Sequence, residues 1–159
     1  MLKRCLFMLA FGAAHANPAL AQQGAWEVSA APVTQDGGPS YCHMTRSDGA
    51  QVISFNTQPG MRFIGVYAPA LKGMDMQIEA TLRIGNFKDY PLTWVGGNGG
   101  YTANLTSVGM AAVLDALILY GDEETRLTVG PETELVIPAD GTQDAARTMW
   151  DCRAALPDG

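Results

Sequence analysis

Cys42 and Cys152 constrain this chain more than any other pair of residues. Three cysteines occur in the sequence, but Cys5 lies in a stretch expected to be removed. Residues 1–21 read as an export signal. Lys3 and Arg4 give a positive start, residues 5–14 an apolar core, and Ala19-Leu20-Ala21 the small-x-small pattern that a signal peptidase cuts. The apolar run falls well short of the roughly 20 residues that a membrane-spanning helix needs. Cleavage after Ala21 makes Gln22 the first residue of one secreted or periplasmic domain, residues 22–159. In an oxidising compartment the two remaining thiols are expected to form a disulfide. A bridge across 110 residues contributes on the order of 4–5 kcal/mol in chain-entropy terms. It also requires a segment near the start of the domain to pack against one near its end.

Between those ends the pattern is mostly that of short strands broken by turn chemistry. Residues 26–31, 40–46 and 51–56 are strand candidates, and Ser47-Asp48-Gly49 is a hairpin signal between the last two. Gln58-Pro59-Gly60 turns the chain into 61–68, where Phe63 and Ile64 are expected to be buried. Residues 76–84 alternate most cleanly. Met76, Ile78, Ala80, Leu82 and Ile84 share one face, with Gln77, Glu79, Thr81 and Arg83 on the other. Residues 125–129 and 134–137 form a further hairpin through Gly130-Pro131. Two helices complete the pattern. Residues 107–120 are apolar almost throughout, with Thr106 or Ser107 as N-cap and Gly121 at the end. The last helix opens at Gly141-Thr142 and places Ala145, Met149, Cys152 and Leu156 on one stripe. Cys152 therefore points inward, towards a strand that carries Cys42. The fold class expected is α+β, an antiparallel sheet of about seven or eight short strands packed with two helices.

Residues 90–95 and 101–105 flank the run Gly96-Gly97-Asn98-Gly99-Gly100, which reads as a long, flexible hairpin tip. A phosphate-cradling loop would need a Lys and a Ser or Thr at P-loop spacing, and neither follows. Aromatic residues beside a mobile loop are common anchors of an interface. Tyr90, Trp94 and Tyr101, with Gly97, Asn98 and Gly99, are accordingly the expected contact surface.

Charge and side-chain inventory narrow the chemistry. Lys3 and Arg4 leave with the signal, so eight basic residues face sixteen acidic ones, and the net charge moves from −6 to −8. Such a field repels phosphate backbones and anionic lipid heads, which disfavours nucleic acid and membrane surfaces and favours a basic protein partner. No later segment is long and apolar enough to insert in a membrane. His43 is the only histidine left after cleavage. It adjoins Cys42, no Gly-x-Ser-x-Gly elbow accompanies it, and alternation places it on the outer face of its strand. Asp115, alone in the apolar helix, has no identifiable acid-base partner. Thioethers from Met44, Met61, Met74, Met76, Met110 and Met149 suit Cu(I), but several fall at core positions where methionine fills gaps. No catalytic residue, no metal and no cofactor is expected from these side chains.

Trp26-Glu27-Val28, Tyr41-Cys42 followed by a Gly turn and residues 51–55, and then residues 135–138, Gly141-Thr142, Ala145-Ala146 and Trp150-Asp151-Cys152 together resemble the invasion-associated locus B family and related small exported bacterial proteins. The chain lacks the further cysteines those proteins usually carry. The resemblance implies an exported β-rich domain with a disulfide and brings no catalytic residues with it. The expected function is a non-enzymatic binding or interaction module, envelope- or host-related. The alternative is a protein inhibitor of a basic extracellular hydrolase such as a lysozyme, which the negative charge and small size also suit.

Overall fold

Two-residue alternation of buried and exposed side chains decides which segments become strands. The computed structural model describes residues 24–86, 88–129 and 133–157. Within them lie β1 (Trp26–Val28), β2 (Cys42–Asp48), β3 (Gln51–Gln58), β4 (Met61–Tyr67), β5 (Gln77–Ile84), β6 (Lys88–Gly97), β7 (Gly100–Asn104), β8 (Thr125–Val129) and β9 (Thr133–Ile137). Helices α1 (Ser107–Tyr120) and α2 (Thr142–Ala154) complete the fold. The export signal, its cut after Ala21 and the Gly130-Pro131 turn lie outside the described residues.

The class is α+β, as expected, and each of the nine short alternating segments forms a strand. They make one sheet in the order β1-β2-β3-β4-β7-β6-β5-β8-β9, with every neighbouring pair antiparallel. The sheet curls until strands far apart in that order meet. Gln51 Nε2 at the start of β3 donates to the Val136 carbonyl on β9 at 3.0 Å, and Arg46 Nη1 on β2 donates to the Asp140 carbonyl beyond β9 at 2.8 Å. Right-handed twist accumulated over many strands brings the ends together in this way.

One face of the curl is apolar: Met44, Phe55, Ile64, Ala103, Trp94, Leu82, Leu127 and Ile137 are all buried. Helix α1 adds Met110, Val113, Leu114, Ala116 and Leu117 to this core. It is capped by Thr106, whose side chain accepts the Gly109 N–H at 3.0 Å. Helix α2 presents Ala145, Ala146, Met149 and Cys152, and the Cys42–Cys152 disulfide joins it to β2 with the two Cα atoms 6.0 Å apart. That spacing is ordinary for a bridge.

Two expectations need correction. Met76 does not lie in the core. Burial on its face decays along β5 from Ile84 and Leu82, both fully buried, to Met76, which is 77% exposed where the chain passes the rim of the core. Phe63 and Ile64 cannot both be buried, because successive strand residues face opposite sides. Ile64 is fully buried and Phe63 is half-buried on the outer face. Among the described residues no helix is long and apolar enough to cross a membrane.

Candidate functional site

The structure disperses the contact surface expected at the β6–β7 hairpin. Gly97 pairs with Gly100 and Gly96 with Tyr101, so only Asn98 and Gly99 form the turn. Both have positive φ, 51° and 89°, the conformation of a tight type I′ hairpin. The tip is built, not loose. A Cβ on Gly96 would sit 2.1 Å from the Gly100 carbonyl oxygen, and the Gly99 carbonyl accepts the Ala68 N–H at 2.9 Å. The aromatic residues beside it are core. Trp94 is fully buried, and Tyr101 is 2% exposed and donates its hydroxyl to the Asp75 carbonyl. Tyr90 is half-buried seven residues from Gly97, roughly 23 Å at strand rise, with its hydroxyl bonded to the Ala112 carbonyl at 2.8 Å. Of the six residues only Gly97 and Asn98 are exposed. The five-residue run read as a long loop because glycine inside a ladder and glycine in a turn look alike in sequence.

His43 lies on the outer face of β2, as alternation requires. Its Nδ1 is 2.8 Å from the Ser29 hydroxyl, and its Nε2 is 4.0 Å from the Glu27 carboxylate. The order Ser-His-acid invites a comparison with nucleophilic catalysis. Ser29, however, is 6% exposed and also accepts the His43 backbone N–H, which leaves a substrate no approach to its oxygen. The Glu27 contact exceeds hydrogen-bond length. The trio fastens the chain after β1 to β2. The methionines weighed for copper are scattered: Met44, Met110 and Met149 are fully buried, while Met61 and Met76 lie exposed on other parts of the surface.

A more promising arrangement forms where the first strand meets the last helix. Strand β1 is outermost on its side of the sheet and pairs only with β2. The Ser29 N–H bonds to the His43 carbonyl at 2.9 Å, which fixes the phase of that ladder. Glu27, two residues earlier, is bonded to β2 in the same way. Trp26 and Val28 therefore direct their N–H and C=O groups away from it. Helix α2 runs beside this free edge for two reasons: Cys152 is tied to Cys42, and the Trp26 indole N–H donates to the Thr142 hydroxyl at 2.9 Å.

Between edge and helix lies an open groove of about 620 Å³, with Trp26 and Val28 on one side and Asp140, Asp144, Ala145 and Thr148 on the other. Asp144 sits in the first turn of α2, where the helix dipole favours a carboxylate. Among the described lining residues there is no Lys, Arg or His. The nearest buried cation, Arg46, is already paired: its Nε is 2.7 Å from the Asp48 carboxylate, and its Nη1 holds the Asp140 backbone carbonyl. The groove thus has aspartates on the helix side and an unpaired strand edge on the other. It is suited to gripping an extended chain.

Fold and groove together define an α+β domain with an open acidic sheet edge. No protein family, no curated protein and no solved structure matches the chain. Sequence reading missed Asp140, Asp144 and Thr148. It could have reached them, because a Cys42–Cys152 bridge places the last helix beside the second strand. The missing step was that the strand next along is β1.

Proposed function

We propose that this protein is a non-enzymatic binding module that works after export and holds another protein through the groove between β1 and α2. The observation that carries the reading is that groove: a cleft of about 620 Å³ beside the free edge, with Trp26, Val28 and Ala145 and two aspartates, and no cation, among the described residues that line it. The net negative charge of the chain adds a long-range attraction for a basic partner. Kinship with the invasion-associated locus B family belongs to the same proposal, as do an envelope- or host-related setting and a periplasmic or secreted location. The residues that carry that resemblance, Trp26, Val28, Cys42 and Cys152 among them, gather around the groove and the disulfide.

The acidic wall also favours a second reading, an inhibitor that docks on a basic extracellular hydrolase such as a lysozyme. One experiment addresses both. The exported protein, immobilised, is exposed to extracellular extract at low and moderate salt, beside an Asp140→Asn/Asp144→Asn variant and a Glu79→Gln control on the outer face of β5. The module reading expects a captured protein that the double variant loses at least tenfold, about 1.4 kcal/mol, and the control retains. Capture that vanishes at moderate salt, with inhibition of the hydrolase, favours the inhibitor. Equal capture by all three proteins removes the groove from the account.

A further inference from the structure

From the free edge of β1 we infer that the groove takes an extended, basic segment of its partner as a tenth, antiparallel strand, with Lys or Arg side chains entering between β1 and α2. The inference rests on the binding-module reading and names the occupant of its groove. Three features lead to it.

The first is backbone. Trp26 and Val28 each offer one N–H and one C=O on the side away from β2, as the Ser29–His43 bond dictates. Unpaired strand edges are the surface that strand addition uses, with main-chain bonds giving affinity and alternate side chains giving specificity. Every existing pair in the sheet is antiparallel, so the added strand continues that pattern.

The second is side-chain direction. Residues directly opposite in an antiparallel pair share a face. A residue bonded to Trp26 or Val28 therefore projects to the side those residues use, which is the inner side covered by α2. Trp26 points there, with its ring 6.1 Å from Phe55 and its indole nitrogen on Thr142. An entering side chain finds Ala145 and Thr148 as well as Asp140 and Asp144 among the residues that line the groove. A long aliphatic stem with a cationic end suits such a lining.

The third is charge. The partner residues between those two project to the outer face beside Glu27, whose side chain is 81% exposed. Carboxylates thus flank both sides of the added strand. Arg46 beneath the groove is paired to Asp48 and bonded to the Asp140 and Pro138 carbonyls, so it does not oppose an incoming cation. An acidic segment, or the C-terminal carboxylate of a peptide, would meet repulsion from Asp140 and Asp144.

The test uses a defined probe, the capped peptide Ac-Lys-Val-Lys-Val-Lys-NH2, titrated into the disulfide-bonded protein at low salt. Saturable binding is expected, with at least tenfold loss when Glu replaces each Lys or when the protein carries Asp140→Asn/Asp144→Asn. N-methylation separates strand addition from simple charge attraction. Methyl groups on the Lys amides, which face β1 when Lys side chains enter the groove, should abolish binding, and methyl groups on the Val amides should leave it within about twofold. On the protein, Val28→Pro removes the outward N–H at an edge position where proline is tolerated and should weaken binding about tenfold. Equal loss from both methylation patterns, or from neither, overturns strand addition. So does the absence of saturation by about 1 mM, a very weak complex. If the peptide fails while the extract experiment still shows loss of a captured protein in the Asp140→Asn/Asp144→Asn variant, the module reading stands and only the mode of binding is wrong. If both fail, the groove is not the working surface.

Discussion

The two edges of the sheet are treated differently. On β9 the Val136 carbonyl points away from β8 and is taken by Gln51 Nε2 at 3.0 Å, while Glu134 on the same strand is held by Arg126 at 3.1 Å. One backbone acceptor of that edge is thus taken by a side chain from within the molecule. On β1 the outward groups of Trp26 and Val28 have no strand beside them, and the nearest element, α2, stands back across a groove. An exposed edge is an aggregation hazard that proteins ordinarily blunt. Shortness does part of that here, since β1 has three residues, and the flanking carboxylates do the rest by repelling another copy of the same acidic edge. The difference teaches that an edge can be closed to self and still open to a partner of opposite charge.

Removing the bridge should break the contrast most severely. Cys42→Ser/Cys152→Ser is expected to lower the unfolding free energy by about 2–5 kcal/mol, read from urea denaturation. Hydrogen exchange should quicken first in α2 and β1, while β5 and β8 keep their protection. Equal loosening at both edges would show that the disulfide does not specifically hold the open side. Next in size is Arg46→Met, which removes the latch between β2 and the connector after β9 and leaves Asp48 unpaired. A loss of about 2 kcal/mol is expected from bonds to a charged donor, measured as a shift in the urea midpoint at unchanged slope.

Gln51→Ala works on the β9 edge. It should cost about 0.5–1 kcal/mol for one exposed neutral bond and expose the Val136 carbonyl, yet leave titration of the basic peptide at β1 unchanged. A second bound peptide would sharpen the comparison by making β9 an acceptor too. The smallest effect belongs to a site remote from both edges. Burial, aided by the Asp115 carboxylate, raises the Tyr90 hydroxyl above its usual value of 10.0. The folded state therefore favours the neutral phenol, and the associated stability is full below about pH 10 and lost as pH rises beyond it. Tyr90→Phe should flatten that alkaline fall, seen by comparing thermal midpoints between pH 8 and pH 11.

Much of the fold is legible in residues whose neighbours in sequence decide their environment. Alternation over Ala80, Leu82 and Ile84 marks β5, Thr106 and Gly121 bound α1, and the stripe through Met149 and Cys152 faces α2 inward where Cys42 meets it. The site was less legible, because what matters there is which strand lies at the edge. Sheet order is set by long-range pairing, and nothing local in Trp26-Glu27-Val28 says that one side stays unpaired. The hairpin failed for a different reason. Gly96, Gly97 and Gly100 join the ladder, and backbone crowding at Gly96, not flexibility, explains the absence of a side chain there. Trp94 and Tyr101 then follow their alternation into the core, where an aromatic beside a turn had suggested an anchor.

The open edge of β1 is the central claim, and amide exchange at Trp26 and Val28 tests it most directly. Both N–H groups should exchange quickly in the free protein, while the Glu27 N–H, bonded to β2, is protected. Saturating Ac-Lys-Val-Lys-Val-Lys-NH2 should slow Trp26 and Val28 at least tenfold and leave Glu27 nearly as it was. Unchanged exchange at Trp26 and Val28 in the peptide-bound protein, or slow exchange there before any peptide is added, would contradict an edge that waits for a strand.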